Sequence, residues 1–250
     1  MLVVVGLLLT SVLSTVSTQI DARNIAETQT RLTLIKDALT GFAQANGRLP
    51  CAADGTLVTG ATGAGLEEMT GNVCKTPISR YAVLPWATLG LVETDVWGRR
   101  FTYVVDVNFA DLNTALTWGG CAPSPTPVAP TSFALCSVGT LTVMTRTPSS
   151  KTGTSVSGVP AVIISNGKNG YGAYTPDGKT YPAPAATSVD ETANTPAAAA
   201  TTFYLREQSP QTSGCSDTAA NTPFCEFDDL VAYVPFSVLV TRMVSAGRLP

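Results

Sequence analysis

Apolar and polar positions divide this chain into two unequal parts. The first twenty residues carry no charge, Asp21 being the first ionisable side chain, and Leu2, Val3, Val4, Val5, Leu7, Leu8, Leu9, Val12, Leu13 and Val16 dominate them. A polar stretch without proline then runs to Asn46. Within it Ile25, Leu32, Ile35, Leu39 and Phe42 recur at spacings of seven, three, four and three. That is one face of a helix. Asp21, Arg23, Glu27, Arg31, Lys36 and Asp37 fall mostly off the stripe. Gly47 supplies a C-cap and Pro50 forbids continuation. The pattern predicts one helix over 1–46, roughly 70 Å long at 1.5 Å per residue, an apolar segment fused to an amphipathic one.

Beyond residue 50 the period changes. Residues 51–80 read as a connecting loop, with Gly and Thr crowded into 55–71. Strand signals follow at 101–107 (F-T-Y-V-V-D-V), 141–147 (L-T-V-M-T-R-T), 160–165 (P-A-V-I-I-S) and 201–206 (T-T-F-Y-L-R). The Pro-rich 121–130 and the stretch 181–200 read as loops. Residues 227–250 join a strand-like D-D-L-V-A-Y-V to an apolar segment before Gly247. This predicts an α+β fold: an antiparallel sheet laid on the amphipathic half of the helix. No β-α-β alternation is present, which argues against a doubly wound fold. The domains read as a stalk, 1–50, with 1–20 as a transmembrane or filament-core segment, and a globular part, 51–250.

Composition sharpens this. Only 13% of residues are charged and the formal net charge is −3, with no Lys/Arg cluster, so no nucleic-acid surface is expected. A cleavable signal peptide would need a basic n-region and a helix break, and neither is present. The six cysteines, Cys51, Cys74, Cys121, Cys136, Cys215 and Cys225, contain no C-x-x-C pair, and the chain has no histidine. Zinc-finger and zinc-ribbon sites are therefore out, and disulfides are favoured. Of fifteen connectivities the sequential one, 51–74, 121–136 and 215–225, closes the shortest loops.

Candidate chemistry is sparse. Without histidine there is no Ser-His-Asp triad, and no nucleophile–base pair is visible, so no enzyme is expected. The adjacent acids Glu67-Glu68 and Asp228-Asp229 read as solvated turn charges. A-Y-T-P-D-G-K-T (173–180) mimics a phosphate loop but has Ala173 where the first Gly belongs and contains Pro176, so it reads as a turn. The most unusual loop is S-N-G-K-N-G-Y-G-A-Y-T-P-D-G (165–178). Its Asn and Asp side chains and carbonyls can supply hard oxygen ligands, and Asp190, Glu191 and Asn194 could close such a site. The alternative is an Asn/Gly hairpin without an ion. Trp86 and Trp97 are expected in the core between sheet and helix, and Trp118 partly exposed.

The apolar start, the polar helix and A-L-T-G-F-A-Q-A-N-G-R-L-P-C (38–51) together resemble the type IV pilin and type II secretion pseudopilin superfamily, over about 50 residues. T-D-V-W-G-R-R-F-T-Y (94–103) resembles the D-x-W-G-x-x-[FY]-x-Y strand region of major pseudopilins. I-I-S-N-G-K-N-G-Y-G-A (163–173) with D-E-T-A-N (190–194) resembles their calcium-binding loop and acidic element. The resemblance implies a pilin-like fold and calcium as cofactor. It places Asn169 where an Asp ligand is expected and Asp190 at the second acidic position. With Ser165 and Asp177 from the loop, these are the candidate calcium ligands. In the family an N-methylated mature chain begins in the style of Phe-Thr-Leu-Ile-Glu. Met1-Leu2-Val3 resembles the residues that come after that Glu, so either a few mature residues precede Met1 or the acid is missing from this variant.

The resemblance implies a structural subunit that polymerises into a type IV pilus-like extracellular filament. Leu2, Val5, Leu8, Leu9, Val12 and Val16 would lie in the filament core. Its partners would be other copies of itself, the bacterial inner membrane before assembly, and a pilus or secretion machine. Two alternatives stand beside it: a pseudopilin in a periplasmic piston of a type II secretion system, and a membrane-anchored monomeric adhesin or binding domain.

Overall fold

A computed structural model describes residues 2–75, 82–112, 131–147, 150–196 and 201–249, with side chains from residue 16 onward. Helix α1, Leu2–Asn46, is continuous. Gly47 ends it in the left-handed conformation, φ 74°, and its N–H donates to the Ala43 carbonyl at 2.8 Å. The buried stripe is Thr28, Leu32, Ile35, Leu39 and Ala43. Ile25 and Phe42, predicted on that stripe, are half-buried at its margins. Val16 and Ile20 are 46% and 54% exposed, so this stretch of α1 stands clear of the domain. Leu2, Val5, Leu8, Leu9 and Val12 fall outside the described side chains. Among the described residues no helix is long and apolar enough to cross a membrane. Of the predicted spanning segment, 1–20, only residues 16–20 have described side chains.

After α1 come β1 (Met69–Thr70), β2 (Val73–Cys74), α2 (Trp86–Leu89), β3 (Thr102–Val105), α3 (Val107–Ala110), β4 (Leu141–Thr147) and β5 (Ser150–Val159). Then follow β6 (Ala161–Ser165), α4 (Val189–Asn194), β7 (Thr202–Leu205), β8 (Leu230–Val234) and α5 (Phe236–Ser245). Strands β3, β6 and β8 form an antiparallel sheet in that order. A second sheet has the order β5-β4-β7, in which β4 runs antiparallel to β5 and parallel to β7. Among the described residues the predicted single antiparallel sheet is thus corrected to two three-stranded sheets, the second of them mixed, beside a two-stranded β1–β2 sheet.

Period-two alternation explains how the two sheets and the helix share one interior. Tyr103, Val105, Ala161 and Ile163 point to one face, where they join Leu32, Ile35 and Leu39 of α1. Val104, Val162 and Ile164 point to the other, where they meet Leu141, Val143 and Phe203 of the second sheet. A strand covered on both faces reads as a continuous apolar run, which is what A-V-I-I shows. Helix α5 closes one end of the α1-facing core, burying Leu239 and Met243 there, and Arg248 Nε donates to the Gln44 carbonyl of α1 at 2.9 Å.

Several local readings change. Residue 106 ends a predicted strand because the Asp106 carboxylate accepts from Asn108 N–H at 2.8 Å and caps α3. Strand β5 has no apolar alternation, and its pairing with β4 rather than its composition makes it a strand. The predicted loops 51–80 and 181–200 contain the β1–β2 hairpin and α4. Glu67 is not a free turn charge: both its oxygens bind Arg48, at 2.7 and 2.8 Å. Cys51 pairs with Cys74, and Cys215 with Cys225. Cys136 is also disulfide-bonded. Its predicted partner Cys121, the loop 121–130 and Trp118 lie outside the described residues. Trp86 is buried, and Trp97 is half-buried against the α1-facing core.

Candidate functional site

The loop after β6 is built around two tight glycine turns. Gly167 (φ 59°) and Gly170 (φ 68°) adopt the left-handed conformation. A Cβ on the first would collide with Asp228, and one on the second with the Arg99 side chain. Arg99 clamps this loop: its terminal nitrogens donate to the carbonyls of Gly167 at 2.9 Å and Lys168 at 2.8 Å. Arg99 is itself placed by the turn at 95–99, where Asp95 Oδ1 accepts from Trp97 N–H and Arg99 N–H. Ser165 Oγ donates to Asp95 Oδ2 at 2.7 Å. Burial holds the Asp95 carboxyl above its ordinary value, partly opposed by the Ser165 hydrogen bond.

The four predicted calcium ligands do not converge. Ser165 is committed to Asp95. Asp177 sits on the exposed turn 174–180, paired with Lys179 at 3.2 Å, so the turn reading of that segment stands. Asp190 is fully buried and held by two guanidinium groups, Arg146 at 2.5 Å and Arg206 at 2.9 Å. Its backbone N–H donates to Asp217 Oδ2 at 3.1 Å. Sequence-distant arginines have claimed this acid, and no local pattern announces them. Only Asn169 reaches an open set of oxygens.

That set is Glu191 from α4 with Asp228 and Asp229 just before β8, whose carboxylates approach within 4.8 Å of one another. Glu191 and Asp229 are 2% and 3% exposed. Glu191 Oε1 accepts from Asn169 Nδ2 at 3.0 Å and from Asp228 N–H at 3.1 Å. Asp228 Oδ2 accepts from Asn169 N–H at 2.7 Å, and Asp229 Oδ2 from Asn194 Nδ2 at 2.9 Å. Glu191 Oε2 and Asp228 Oδ1 are buried without any hydrogen-bond partner. Among the described residues none of the three acids forms an ion pair with Lys or Arg. Asp228 also lines a cleft of about 350 Å3 whose wall includes Asp21, Ile25, Trp97, Lys168 and Glu226.

Electrostatics follow from this packing. Burial is the main cause that pushes Glu191 up to about 7, with the neighbouring Asp228 charge adding to it against the Asn169 hydrogen bond. Burial raises Asp228, and raises Asp229 well above the carboxylate range. Three crowded carboxylates can stay ionised together only with a countercharge. Two orphaned buried oxygens are places where such a charge would bind. The donors are all hard oxygens, which suits calcium or magnesium and not a soft metal. Glu191 was legible as a late acid near the loop. Asp228 and Asp229 were misread as solvated charges, and the only signal against that reading was the apolar strand immediately after them.

No family model matches the chain, and neither a curated protein nor a solved structure matches it.

Proposed function

We propose that this chain is a structural subunit that polymerises through α1 into a type IV pilus-like extracellular filament. The observation that carries the reading is the division of α1. Its second half is buried on the sheet, while Val16 and Ile20 are open and the sequence before Asp21 is uncharged. Buried apolar area contributes about 25 cal/mol per Å2, so an uncharged, apolar helical segment gains by packing on equivalent helices. A head-to-tail contact of that kind need not close, and an open helical polymer results. Before assembly the same segment would reside in the bacterial inner membrane, and a pilus or secretion machine would extract it.

Within that subunit the Glu191, Asp228 and Asp229 carboxylates, with Asn169 beside them, would hold a divalent cation, for which calcium is the chemical fit. The ion would supply the missing countercharge and tie α4, the loop after β6 and the start of β8 together. The test of the filament reading is cryo-electron microscopy of material sheared from cells expressing the chain. Uniform filaments are expected from the unaltered protein and none from Leu8→Asp. Normal filaments from that variant would overturn the reading. Protein that stays in the membrane fraction without fibres would favour the anchored monomer, and short periplasmic assemblies the secretion pseudopilus.

A further inference from the structure

The segment closed by the Cys215–Cys225 disulfide makes no side-chain hydrogen bond to the three clustered acids among the described residues, yet it organises the ground beneath one of them. Asp217, fully buried within that segment, accepts from Cys225 N–H at 3.1 Å and from Arg206 at 3.2 Å through Oδ1. Its Oδ2 accepts from the backbone N–H of Asp190, in the first turn of α4, at 3.1 Å. The Asp217 carbonyl accepts from Arg146 at 3.0 Å. Arg206 packs on the same segment: it donates to the Cys225 carbonyl at 3.0 Å and lies against the Phe224 ring, with the Phe227 ring, just past the segment, also against it. Two arginines and two aspartates thus balance in charge at the start of α4. Glu191 is the next residue along that helix.

We propose that the 215–225 segment is the positioning element of the carboxylate cluster, acting through Asp217, so that cation affinity depends on the Cys215–Cys225 disulfide. This rests on the proposed binding of a cation by Glu191, Asp228 and Asp229. If the disulfide is absent, the ten-residue separation it spans is free to open. Asp217 then leaves, Arg146 and Arg206 face Asp190 alone, and the Asp190 N–H loses its acceptor. The turn carrying Glu191 loses its fixed position. The Cys51–Cys74 disulfide provides an internal control. It spans a longer separation of 23 residues and lies in the α1-facing core, away from α4.

The experiment is a terbium and calcium titration of the full chain in detergent micelles, read by sensitised luminescence and by the thermal midpoint. The Cys215→Ser/Cys225→Ser variant is expected to bind at least about tenfold more weakly, the range seen when groups that orient metal ligands are removed. Cys51→Ser/Cys74→Ser is expected to lower the midpoint while leaving the affinity within about twofold. Asp217→Asn keeps the disulfide but turns an amide donor toward other donors, so it is expected to weaken binding too. It decides the matter if the double serine variant does not fold. Unchanged affinity in Asp217→Asn, or equal weakening in both disulfide variants, overturns the proposal. No binding by the unaltered chain overturns the cation reading itself, an outcome distinct from the others.

Discussion

Lys168 Nζ meets Asp21 Oδ2 at 2.9 Å across 147 residues of sequence. The contact joins the loop that carries Asn169 to α1 at the first charged residue of the chain. Both side chains are well exposed, 62% and 37%, and exposed pairs are screened and entropically costly. Lys168→Ala is therefore expected to change the unfolding free energy by less than about 1 kcal/mol. Urea titration checks this, and a larger loss would mean that the pair does more than mark a surface contact.

The buried acids set a pH dependence with a definite sign. Burial holds Glu191 at about 7 and Asp190 at about 6, above their ordinary values of 4.5 and 3.8. The folded chain therefore binds more protons than the unfolded one across those intervals. The resulting stabilisation is complete below the ordinary values and is lost as pH rises through 6 to 7. In chelator, the thermal midpoint is expected to fall between pH 5 and pH 8, and added calcium to restore it at the alkaline end. Glu191→Gln should flatten the slope in chelator and abolish the calcium response. A slope of the opposite sign, shared by the variant, would refute the assignment.

Arg100 is a second buried charge with a structural task. Its side chain is fully enclosed and pairs with Glu93 at 2.7 Å. It donates to the carbonyls of Gly55 and Leu57 and lies over Trp86. Arg100→Ala strips Glu93 of its countercharge and the Gly55 and Leu57 carbonyls of this donor, and is expected to cost about 3–5 kcal/mol. The loss should appear as early proteolytic cleavage within 54–66. Arg100→Lys should rescue little, because an ammonium cannot reproduce the guanidinium fork.

Leu39 and Leu34 lie five positions apart on α1, with 0% and 56% exposure. Leu39→Ala is expected to destabilise by about 2–5 kcal/mol. Leu34→Ala should stay within about 0.5 kcal/mol. Chemical denaturation of the two variants side by side measures which face of α1 the sheet covers. Similar losses would show that the predicted stripe is not what fastens the helix.

The parts of the fold that were legible share a cause. Leu32, Ile35 and Leu39 repeat with the helix period, and Gly47 with Pro50 ends it, so α1 was readable over its full length. Strands β4, β6 and β7 were readable from β-branched and apolar runs. Strand β5, rich in Ser, Thr and Gly, was not. Backbone pairing with β4 holds it, and composition does not encode that pairing. Helix α4 was missed because it is short and follows a Pro- and Ala-rich run, and it is held from outside by Asp217.

The candidate site divides the same way. Local pattern placed the glycine turns and Asn169, because tight backbone conformations select particular residues. It did not reveal that Arg146 and Arg206 would occupy Asp190, or that Asp228 and Asp229 would be buried beside Glu191. By itself the sequence determined the long helix, its uncharged start, most strands and the absence of histidine chemistry. Only the tertiary structure decided which acids are neutralised and which are left crowded. Countercharge and burial depend on residues brought together from distant positions, and periodicity carries no information about such neighbours.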